Sequence, residues 1–469
     1  MTTSTPRRPS TAGELRSSGH QRESVKQEMR RNLLARLRTG KPLFPGIVGY
    51  DETVLPQIAN AVISGHDVIL LGERGQAKSR LMRSMVELLD PEIPVVAGCE
   101  INDHPFAPVC RRCRDLAEER GDELEVAWLE RDRRYGEKLA TPDTSIADLI
   151  GEVDPIKVAE GRYLADELTI HYGLVPRANR GVFGINELPD LAERIQVGLL
   201  NIMEEKDVQI RGYRVRLPLD VFVVASANPE DYTSRGRIIT PLKDRFGSQV
   251  RTHYPLQVSQ EIEIMEAEGA PFPEEVPVIV PPYMREIVAE MTHLARRSPH
   301  ISQSSGVSVR MSIGNHENLV SNAVRRAVRL GEDLAVPRVS DLAFLVASTA
   351  GRVEIEAIDE GKEEQVLGRI QRSAVSAVFS RRLSPSQFEG LVEMFEEGAS
   401  VEAGEGVPAA SYLRASEPAA AEVTAALGRL GVPDNPQVRA SVLEFVLEGL
   451  HLNKKLNKDD LESRVLYRR

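Results

Sequence analysis

Eight consecutive residues, from Gly72 to Ser79, have the types and spacing of a loop that binds the phosphate groups of a nucleotide. Phosphate oxygens need converging backbone N–H groups and a helix N-terminus, and glycines leave room for that approach. Lys78 would reach the β- and γ-phosphates, and Ser79 would ligate Mg²⁺. The pattern therefore predicts an ATP and Mg²⁺ site formed by Gly72, Glu73, Arg74, Gly75, Gln76, Ala77, Lys78 and Ser79.

The loop departs from the usual pattern at Ala77, where that pattern has glycine. Alanine adds a methyl group and removes some backbone freedom, but the N-terminus of a helix can accommodate it. A glycine-rich turn without a ligand is the alternative explanation. The apolar run that predicts a buried strand before the loop, and the predicted helix after it, favour nucleotide binding.

A second motif is the apolar run Gly181–Ile185 followed by Asn186 and Glu187, which predicts a buried strand ending in two polar side chains. In sites of phosphoryl transfer such carboxylates hold Mg²⁺ and orient the attacking water. Glu187 can polarise that water as the general base. Asn186 stands where an aspartate is usual; its amide can contact a metal-bound water but has no negative charge. We therefore expect weaker Mg²⁺ binding and slow hydrolysis.

Predicted strands and helices alternate over the first half of the chain, which indicates a parallel sheet with helical crossovers. Another strand is predicted at 220–227, and the alternating segment 208–217 predicts a hairpin that turns at Gly212 and Tyr213. From about residue 258 nearly every segment has helical periodicity. The expected fold class is α/β, followed by helices.

Four regions follow from these patterns. Residues 1–40 form a flexible tail and a basic helix, whose charge is either a solvated face or a docking surface for an acidic neighbour. Residues 41–257 form an α/β nucleotide-binding domain, with an insertion at about 99–140 that contains two helices. Residues 258–395 form a helical lid domain, and residues 396–469 form an acidic linker and a C-terminal helical segment.

Composition restricts the function. Lys and Arg total 59 against 70 Asp and Glu, which gives a net charge of −11 at pH 7, and aromatic residues make up 5%. An acidic chain with few aromatics is not expected to bind nucleic acid directly. The sequence has no apolar stretch long enough for a membrane span and no secretory signal, so we expect a cytoplasmic protein without membrane contact.

From about Gly46 to Arg326 the chain resembles the AAA+ ATPases of the branch that contains the magnesium chelatase I subunit and the MoxR-type ATPases. The loop with alanine before its lysine is similar to variants of that branch. The segments 173–191, 221–247 and 305–327 resemble, in order, the approach to the acidic strand, the sensor asparagine with the arginine finger, and the second-sensor helix. The resemblance implies an AAA+ P-loop parallel sheet flanked by helices, then an α-helical lid domain and further C-terminal helices.

The same resemblance implies roles for single residues. Asn228 would hydrogen-bond the γ-phosphate or the attacking water, Arg245 would enter the neighbouring subunit's site as an arginine finger, and Arg310 would sense the nucleotide from the lid. A finger that acts between subunits implies a ring, most often a hexamer, and the hairpin at 208–217 resembles one that faces the pore. The residues expected beside the adenine are Ile47, Val48 and Gly49.

All three cysteines of the chain lie within fifteen residues. With one histidine they offer a Cys₃His ligand set, which suits tetrahedral Zn²⁺, and the Cys-x-x-Cys pair is the usual half-site. A structural zinc in the insertion and a group of reduced surface thiols both fit the sequence. The four potential ligands are Cys99, His104, Cys110 and Cys113.

Three functions fit these observations. The first is a ring ATPase that remodels or activates a partner protein, which the resemblance suggests is a von Willebrand A domain protein. The second is a genuine magnesium chelatase ATPase subunit. The third is a nucleotide-controlled scaffold that hydrolyses little, which the departures at Ala77 and Asn186 favour. The intact Lys78, Glu187 and Arg245 favour the first.

Overall fold

A computed structural model describes residues 8–154, 156, 167–204, 207–210, 213–228, 237–272, 274–302, 305–356, 361–461 and 464–469. Gly212, where the hairpin was expected to turn, lies outside these residues. The chain divides into two units, Met1–His253 and Tyr254–Arg469. The division falls four residues before the boundary predicted from the sequence.

The first unit contains helices and strands in alternation. Its strands are β1 (Val68–Leu71), β2 (Glu92–Val96), β3 (Val126–Glu130), β4 (Tyr135–Leu139), β5 (Gly151–Val153), β6 (Ile170–Tyr172), β7 (Gly181–Asn186), β8 (Asp207–Ile210), β9 (Tyr213–Arg216), β10 (Val221–Ala227) and β11 (Ser248–Arg251). Its helices are α1 (Ala12–Ser17), α2 (Val25–Thr39), α3 (Val54–Ser64), α4 (Lys78–Ser84), α5 (Arg111–Arg120), α6 (Ile146–Leu149), α7 (Leu174–Arg177), α8 (Glu193–Glu204) and α9 (Thr240–Arg245).

Five strands of this unit form one sheet in the order β11-β1-β10-β7-β4, and every neighbouring pair is parallel. Successive side chains of a strand point to opposite faces of a sheet. Val68 and Leu70 of β1 accordingly join one hydrophobic cluster, and Ile69 joins the other. The short strands β2–β3, β5–β6 and β8–β9 pair separately and antiparallel. This confirms the predicted parallel sheet flanked by helices.

The second unit is mainly helical, as predicted. Its helices are α10 (Val258–Glu268), α11 (Pro282–Ala295), α12 (Arg310–Leu330), α13 (Val346–Ala350), α14 (Glu363–Arg382), α15 (Glu389–Glu396), α16 (Ala409–Ala415), α17 (Ala420–Leu430) and α18 (Pro436–Leu452). Its strands β12 (Val401–Ala403), β13 (Asn457–Leu461) and β14 (Arg464–Arg468) form an antiparallel sheet in the order β12-β14-β13. One hydrophobic cluster extends from Met265 to Tyr467.

The C-terminal region differs from the predicted linker and helices. Val401 and Ala403, inside the expected linker, are buried in β12. The last residues form the hairpin β13–β14 rather than helix, and the buried Tyr467 donates its hydroxyl to Glu448 of α18 at 2.5 Å. Most side chains of this hairpin are polar, so the sequence lacks the alternation of apolar and polar residues that predicts a strand. Its strand structure depends on packing instead.

The N-terminal region also differs from the prediction. Residues 8–24 were expected to be flexible, but Ser10 and Ala12 hydrogen-bond the backbone at residues 124–126, and Ala12 and Leu15 are buried. Two apolar residues three positions apart suffice to dock α1, although the composition of the segment is polar. The basic helix α2 forms ion pairs with acidic residues of its own unit: Lys26 with Asp67, Arg31 with Asp90 and Arg36 with Glu87.

The segment 99–140 is not a separate insertion with two helices. Its residues 135–139 are β4, the edge strand of the central sheet, and α5 is the one α-helix among them. Side chains of this edge strand remain half-exposed or exposed, so its sequence Tyr-Gly-Glu-Lys-Leu can be polar. The segment therefore lacks the apolar run that would have predicted a strand.

A buried ion pair fixes α2 to the central sheet. Arg134, directly before β4, is fully buried and donates from both terminal nitrogens to the carboxylate of Glu28 (2.7 and 2.6 Å). It also donates to the carbonyl oxygen of Arg180, directly before β7. Removing one partner of a buried pair leaves the other charge uncompensated.

We predict that Glu28→Gln lowers the free energy of unfolding by about 3 kcal/mol, because the Arg134 guanidinium would keep its burial and lose its countercharge. Denaturant titration measures the change. Glu23→Gln is the matched control: Glu23 pairs with Arg31 at the surface, and its loss should cost less than about 1 kcal/mol. Equal effects of the two variants would contradict the prediction.

Candidate nucleotide-binding site

The loop between β1 and α4 surrounds the ammonium group of Lys78. Lys78 begins α4, is buried, and donates from Nζ to the carbonyl oxygens of Gly72 (2.5 Å) and Glu73 (2.8 Å). The charged oxygens of a phosphate would bind this ammonium more strongly than neutral carbonyl oxygens do. The loop therefore presents a positive charge at the start of a helix, which suits a phosphate group.

The shape of the loop is held by Gln76 and Thr252. Gln76 Oε1 accepts from the backbone N–H of Glu73 (3.1 Å) and from the Thr252 hydroxyl (2.8 Å). A Cβ atom at Gly72 would collide with the side chains of both Gln76 and Thr252, so this position requires glycine. Thr252 follows β11 and escaped sequence analysis, because its role depends on β11 lying beside β1.

Asn186, at the end of β7, joins the loop to the neighbouring strands. Its Oδ1 accepts from Ser79 Oγ of α4 (2.9 Å) and from Ser226 Oγ of β10 (3.1 Å). Its Nδ2 donates to the carboxylate of Glu137 on β4. Donors on one side and an acceptor on the other fix the orientation of the amide. The amide oxygen therefore points at the serine that was predicted to ligate Mg²⁺.

Glu137 is a site residue that sequence analysis missed. Besides Asn186, its carboxylate accepts from Arg83 Nε (2.8 Å) and from the Tyr135 hydroxyl (3.1 Å). Burial and the nearby Glu137 charge raise the pKa of Tyr135, so its hydroxyl stays protonated and donates. The carboxylate absent at position 186 is thus present one strand away. Only the pairing of β4 with β7 reveals this, since nothing in the local sequence marks Glu137.

Glu187 and Asn228 extend the site along the same edge of the sheet. Glu187 follows β7, and its backbone N–H donates to Ser226 Oγ (3.1 Å). Asn228 follows β10 and is buried, and its Oδ1 receives no hydrogen bond from any described residue. In parallel sheets the carboxyl ends of the strands are the usual place for ligands. The described residues thus bring together Lys78, Ser79, Asn186, Glu187 and Asn228 around the ends of β1, β7 and β10.

Two residues of the candidate site, Ala77 and Glu187, have strained backbone. Ala77 has φ 54° and ψ 17°, and Glu187 has φ 55° and ψ 51°, both in the left-handed region that favours glycine. Such conformations cost about 1–3 kcal/mol each and occur preferentially at functional sites. The usual glycine before the lysine is therefore explained by the backbone angle, and Ala77 adopts that angle at a cost.

The residues expected beside the adenine lie in the segment before α3. Of the three residues expected beside adenine, Ile47 is buried, and Val48 and Gly49 are half-buried. The adjacent Tyr50 places its hydroxyl against the carbonyl oxygens of Gln76 (2.9 Å) and His253 (2.7 Å), which ties this segment to the loop.

The two predicted arginines are both exposed. Arg245 ends α9 in the first unit and forms an ion pair with Glu204, the last residue of α8. Arg310 is the first residue of α12 in the second unit. An exposed arginine at a helix end is accessible to a neighbouring subunit, which the role of a finger requires.

The cysteine segment forms a group that differs from the predicted ligand set. The group contains Cys99, Cys110 and Cys113, with Asp103 in place of His104. The His104 ring stacks on His20, with centroids 5.6 Å apart, and its Nδ1 accepts from the N–H of Phe106 (3.0 Å). Cys110 and Cys113 are buried, so the alternative of surface thiols is also wrong for them.

Within the described residues, no helix combines the length and apolar character needed to cross a membrane. No family model matches the chain.

Several curated proteins are similar to the chain. It is 26% identical over 349 residues to the magnesium-chelatase subunit ChlI of Nostoc sp., covering 70% of this chain and 89% of that protein. It is 30% identical over 237 residues to the chloroplastic magnesium-chelatase subunit ChlI-2 of Arabidopsis thaliana, covering 49% of this chain and 53% of that protein. A solved chain from a complex of the magnesium chelatase subunits BchI and BchD is 22% identical, with a TM-score of 0.36, covering 70% of this chain and all of that one.

We predict that Ala77→Gly raises the free energy of unfolding by up to about 1 kcal/mol, because glycine adopts the left-handed conformation without the clash of Cβ. Thermal or denaturant unfolding measures this. The control is Ala117→Gly within α5 of the same unit, which should lower stability by about 1 kcal/mol because the backbone there is helical. A loss at position 77 similar to that at 117 would show that Ala77 is not strained.

Proposed function

Since the chain is an AAA+ ATPase of the magnesium chelatase I-like branch, we propose that it assembles into a ring, most simply a hexamer, and uses ATP hydrolysis to remodel or activate a partner protein. The hydrogen bond between Ser79 and Asn186 carries this proposal. It joins the phosphate loop to the strand end that bears Glu187, as an ATPase site requires.

In the proposed site each residue has a physical role. Backbone N–H groups of residues 72–79 and the ammonium of Lys78 bind the phosphates, and Ser79 Oγ with Asn186 Oδ1 offers oxygen ligands or water contacts to Mg²⁺. Glu187 accepts a proton from the attacking water, which Asn228 Oδ1 helps to orient. Arg310 senses the nucleotide from the lid.

Arg245 acts on the neighbouring subunit in this proposal. A guanidinium stabilises the charge that develops on the transferred phosphoryl group, and where it is supplied by another subunit only the assembled ring has a complete site. The exposure of Arg245 at the end of α9 supports this assignment.

We further propose that turnover is slow because Asn186 brings no charge to Mg²⁺, and that Glu137 compensates in part. Its carboxylate orients the Asn186 amide and adds a negative charge next to it. In this proposal Glu137 does not bind the metal itself. It is a positioning residue that holds the Asn186 amide.

Three narrower proposals concern the partner protein, the cellular compartment and a second metal ion. The BchI–BchD complex is the precedent for a partner subunit, and we propose a protein with a von Willebrand A domain. The three cysteines are free thiols, which suits the reducing cytoplasm. Any zinc would be structural and separate from ATP hydrolysis.

The narrower function of a genuine magnesium chelatase subunit rests on the names of the curated relatives. Adding the purified chain to the other chelatase subunits, with protoporphyrin, Mg²⁺ and ATP, tests it. Metal insertion that depends on Lys78 would establish this function; ATP turnover without insertion would leave remodelling of another protein.

We predict that ATP turnover rises with protein concentration and is lost in Lys78→Ala, Glu187→Gln and Arg245→Ala. Mixing inactive Lys78→Ala with inactive Arg245→Ala should restore about a quarter of the wild-type rate, because one in four randomly formed interfaces combines an intact loop with an intact finger. Arg245→Ala alone should still bind ATP.

Arg133→Ala, an exposed arginine of the same unit, is the control and should leave turnover unchanged. A mixture as inactive as its components would contradict a finger that acts between subunits. Absence of turnover in the wild type, with ATP binding that Lys78→Ala abolishes, would instead support the nucleotide-controlled scaffold.

We predict that Glu137→Gln lowers turnover about tenfold and raises the Mg²⁺ concentration needed for half-maximal rate, because the site loses the negative charge next to Asn186 and the Asn186 amide keeps only a neutral acceptor. The double variant Asn186→Asp with Glu137→Gln should recover the loss, since it exchanges carboxylate and amide while keeping their hydrogen bond. Glu130→Gln, at an exposed position, is the control. Unchanged Mg²⁺ dependence in Glu137→Gln would contradict the compensation.

A further inference from the structure

Three cysteines and an aspartate converge where the segment that follows β2 leads into the first turn of α5. Cys99, Cys110 and Cys113 each offer a sulfur, Asp103 offers a carboxylate oxygen, and these atoms all lie within 4.8 Å of one another. In a tetrahedral site with metal–sulfur bonds of about 2.3 Å, the ligand atoms are about 3.8 Å apart. The four atoms are therefore nearly at ligand spacing, and a small contraction would complete the site.

The environment of Asp103 indicates that a cation binds here. Asp103 is 0% exposed, and its Oδ1 receives no hydrogen bond from any described residue, while its Oδ2 accepts from the Cys110 N–H (2.9 Å). A buried carboxylate oxygen without a partner is costly, and no Lys or Arg pairs with it among the described ion pairs. A metal ion would compensate it.

Backbone N–H groups are arranged to support thiolates. The N–H of Asp103 donates to Cys99 Sγ (3.3 Å), and the N–H of Cys113 donates to Cys110 Sγ (3.4 Å). Cys110 is the N-cap of α5, a helix of ten residues, so the positive end of the helix dipole faces the sulfurs.

The donor set selects the metal and its role. Three thiolates favour Zn²⁺ over the hard cations Mg²⁺ and Ca²⁺, which prefer oxygen alone. Four protein ligands leave no position for water or substrate, which is the pattern of a structural site. The segment also contacts the end of α7 and the residues that lead into β7: the amide of Asn102 donates to the carbonyl oxygen of Arg177 (2.8 Å), and the amide of Asn179 donates to the carbonyl oxygen of Ile101 (2.9 Å).

We propose that Cys99, Asp103, Cys110 and Cys113 bind one structural Zn²⁺ that fixes the segment 99–113 against the approach to β7. This corrects the histidine of the sequence-based ligand set to the aspartate one position before it. The proposal is independent of ATP hydrolysis, and Lys78→Ala should keep the metal.

The test is the zinc content of the full-length chain, purified under reducing conditions without chelator and measured by mass spectrometry of the metal. We expect one zinc per chain, released when a mercurial reagent blocks the thiols. Cys99→Ser and Cys113→Ser should lose it, and Asp103→Asn should bind it at least tenfold more weakly in competition with a zinc-binding dye. His104→Gln is the matched control and should retain it.

A second measurement avoids variants that fail to fold. Cobalt substituted into the wild-type chain should give the intense visible bands of a tetrahedral site with thiolate ligands. A chain that takes up neither zinc nor cobalt at equimolar concentration would overturn the proposal, as would zinc-free protein in which two thiols have formed a disulfide. Zinc that His104→Gln loses and Asp103→Asn retains would overturn the ligand set.

Discussion

The side chain of Asn186 connects the elements on which the candidate site depends. It accepts from serines of α4 and β10 and donates to Glu137 of β4, so one amide links the phosphate loop to two other strands. An aspartate here would place a second carboxylate against Glu137, and the two charges would repel each other. Among the described ion pairs only Arg83, which already pairs with Glu137, is there to balance them. The amide avoids that repulsion and leaves Glu137 as the single negative charge of this group. The asparagine at position 186, where an aspartate is usual, is therefore explained by its hydrogen bond to Glu137.

The parts of this arrangement that sequence analysis predicted are local ones. The loop from Gly72 to Ser79 is recognisable because its glycines, lysine and serine act within one turn between a strand and a helix. The parallel sheet was predicted from apolar runs alternating with helical periodicity, and the structure confirms it. Glu137 and Thr252 were missed because their contacts depend on which strands are neighbours in the sheet. The order of strands cannot be inferred from the sequence of one segment.

The errors in the remaining regions have related physical causes. Spacing alone could not distinguish Asp103 from His104, because both are buried and the choice depends on which side chain the loop turns towards the three sulfurs. The N-terminal segment looked flexible by composition, yet Ala12 and Leu15 bury enough to dock it. The C-terminal hairpin is polar in sequence and gains its strand structure from pairing with β12 and from the buried Tyr467. In each case tertiary contacts override the local preference.

The arginines of the first unit differ in how freely they can change partners. Arg134 is fully buried, and its pair with Glu28 cannot open without exposing two charges to an apolar interior, so it fixes α2 to the sheet. Arg245 forms its ion pair with Glu204 at the surface, where such pairs contribute only about 0–1 kcal/mol. Arg245 can therefore leave Glu204 at little cost, which the proposed role of a finger between subunits requires.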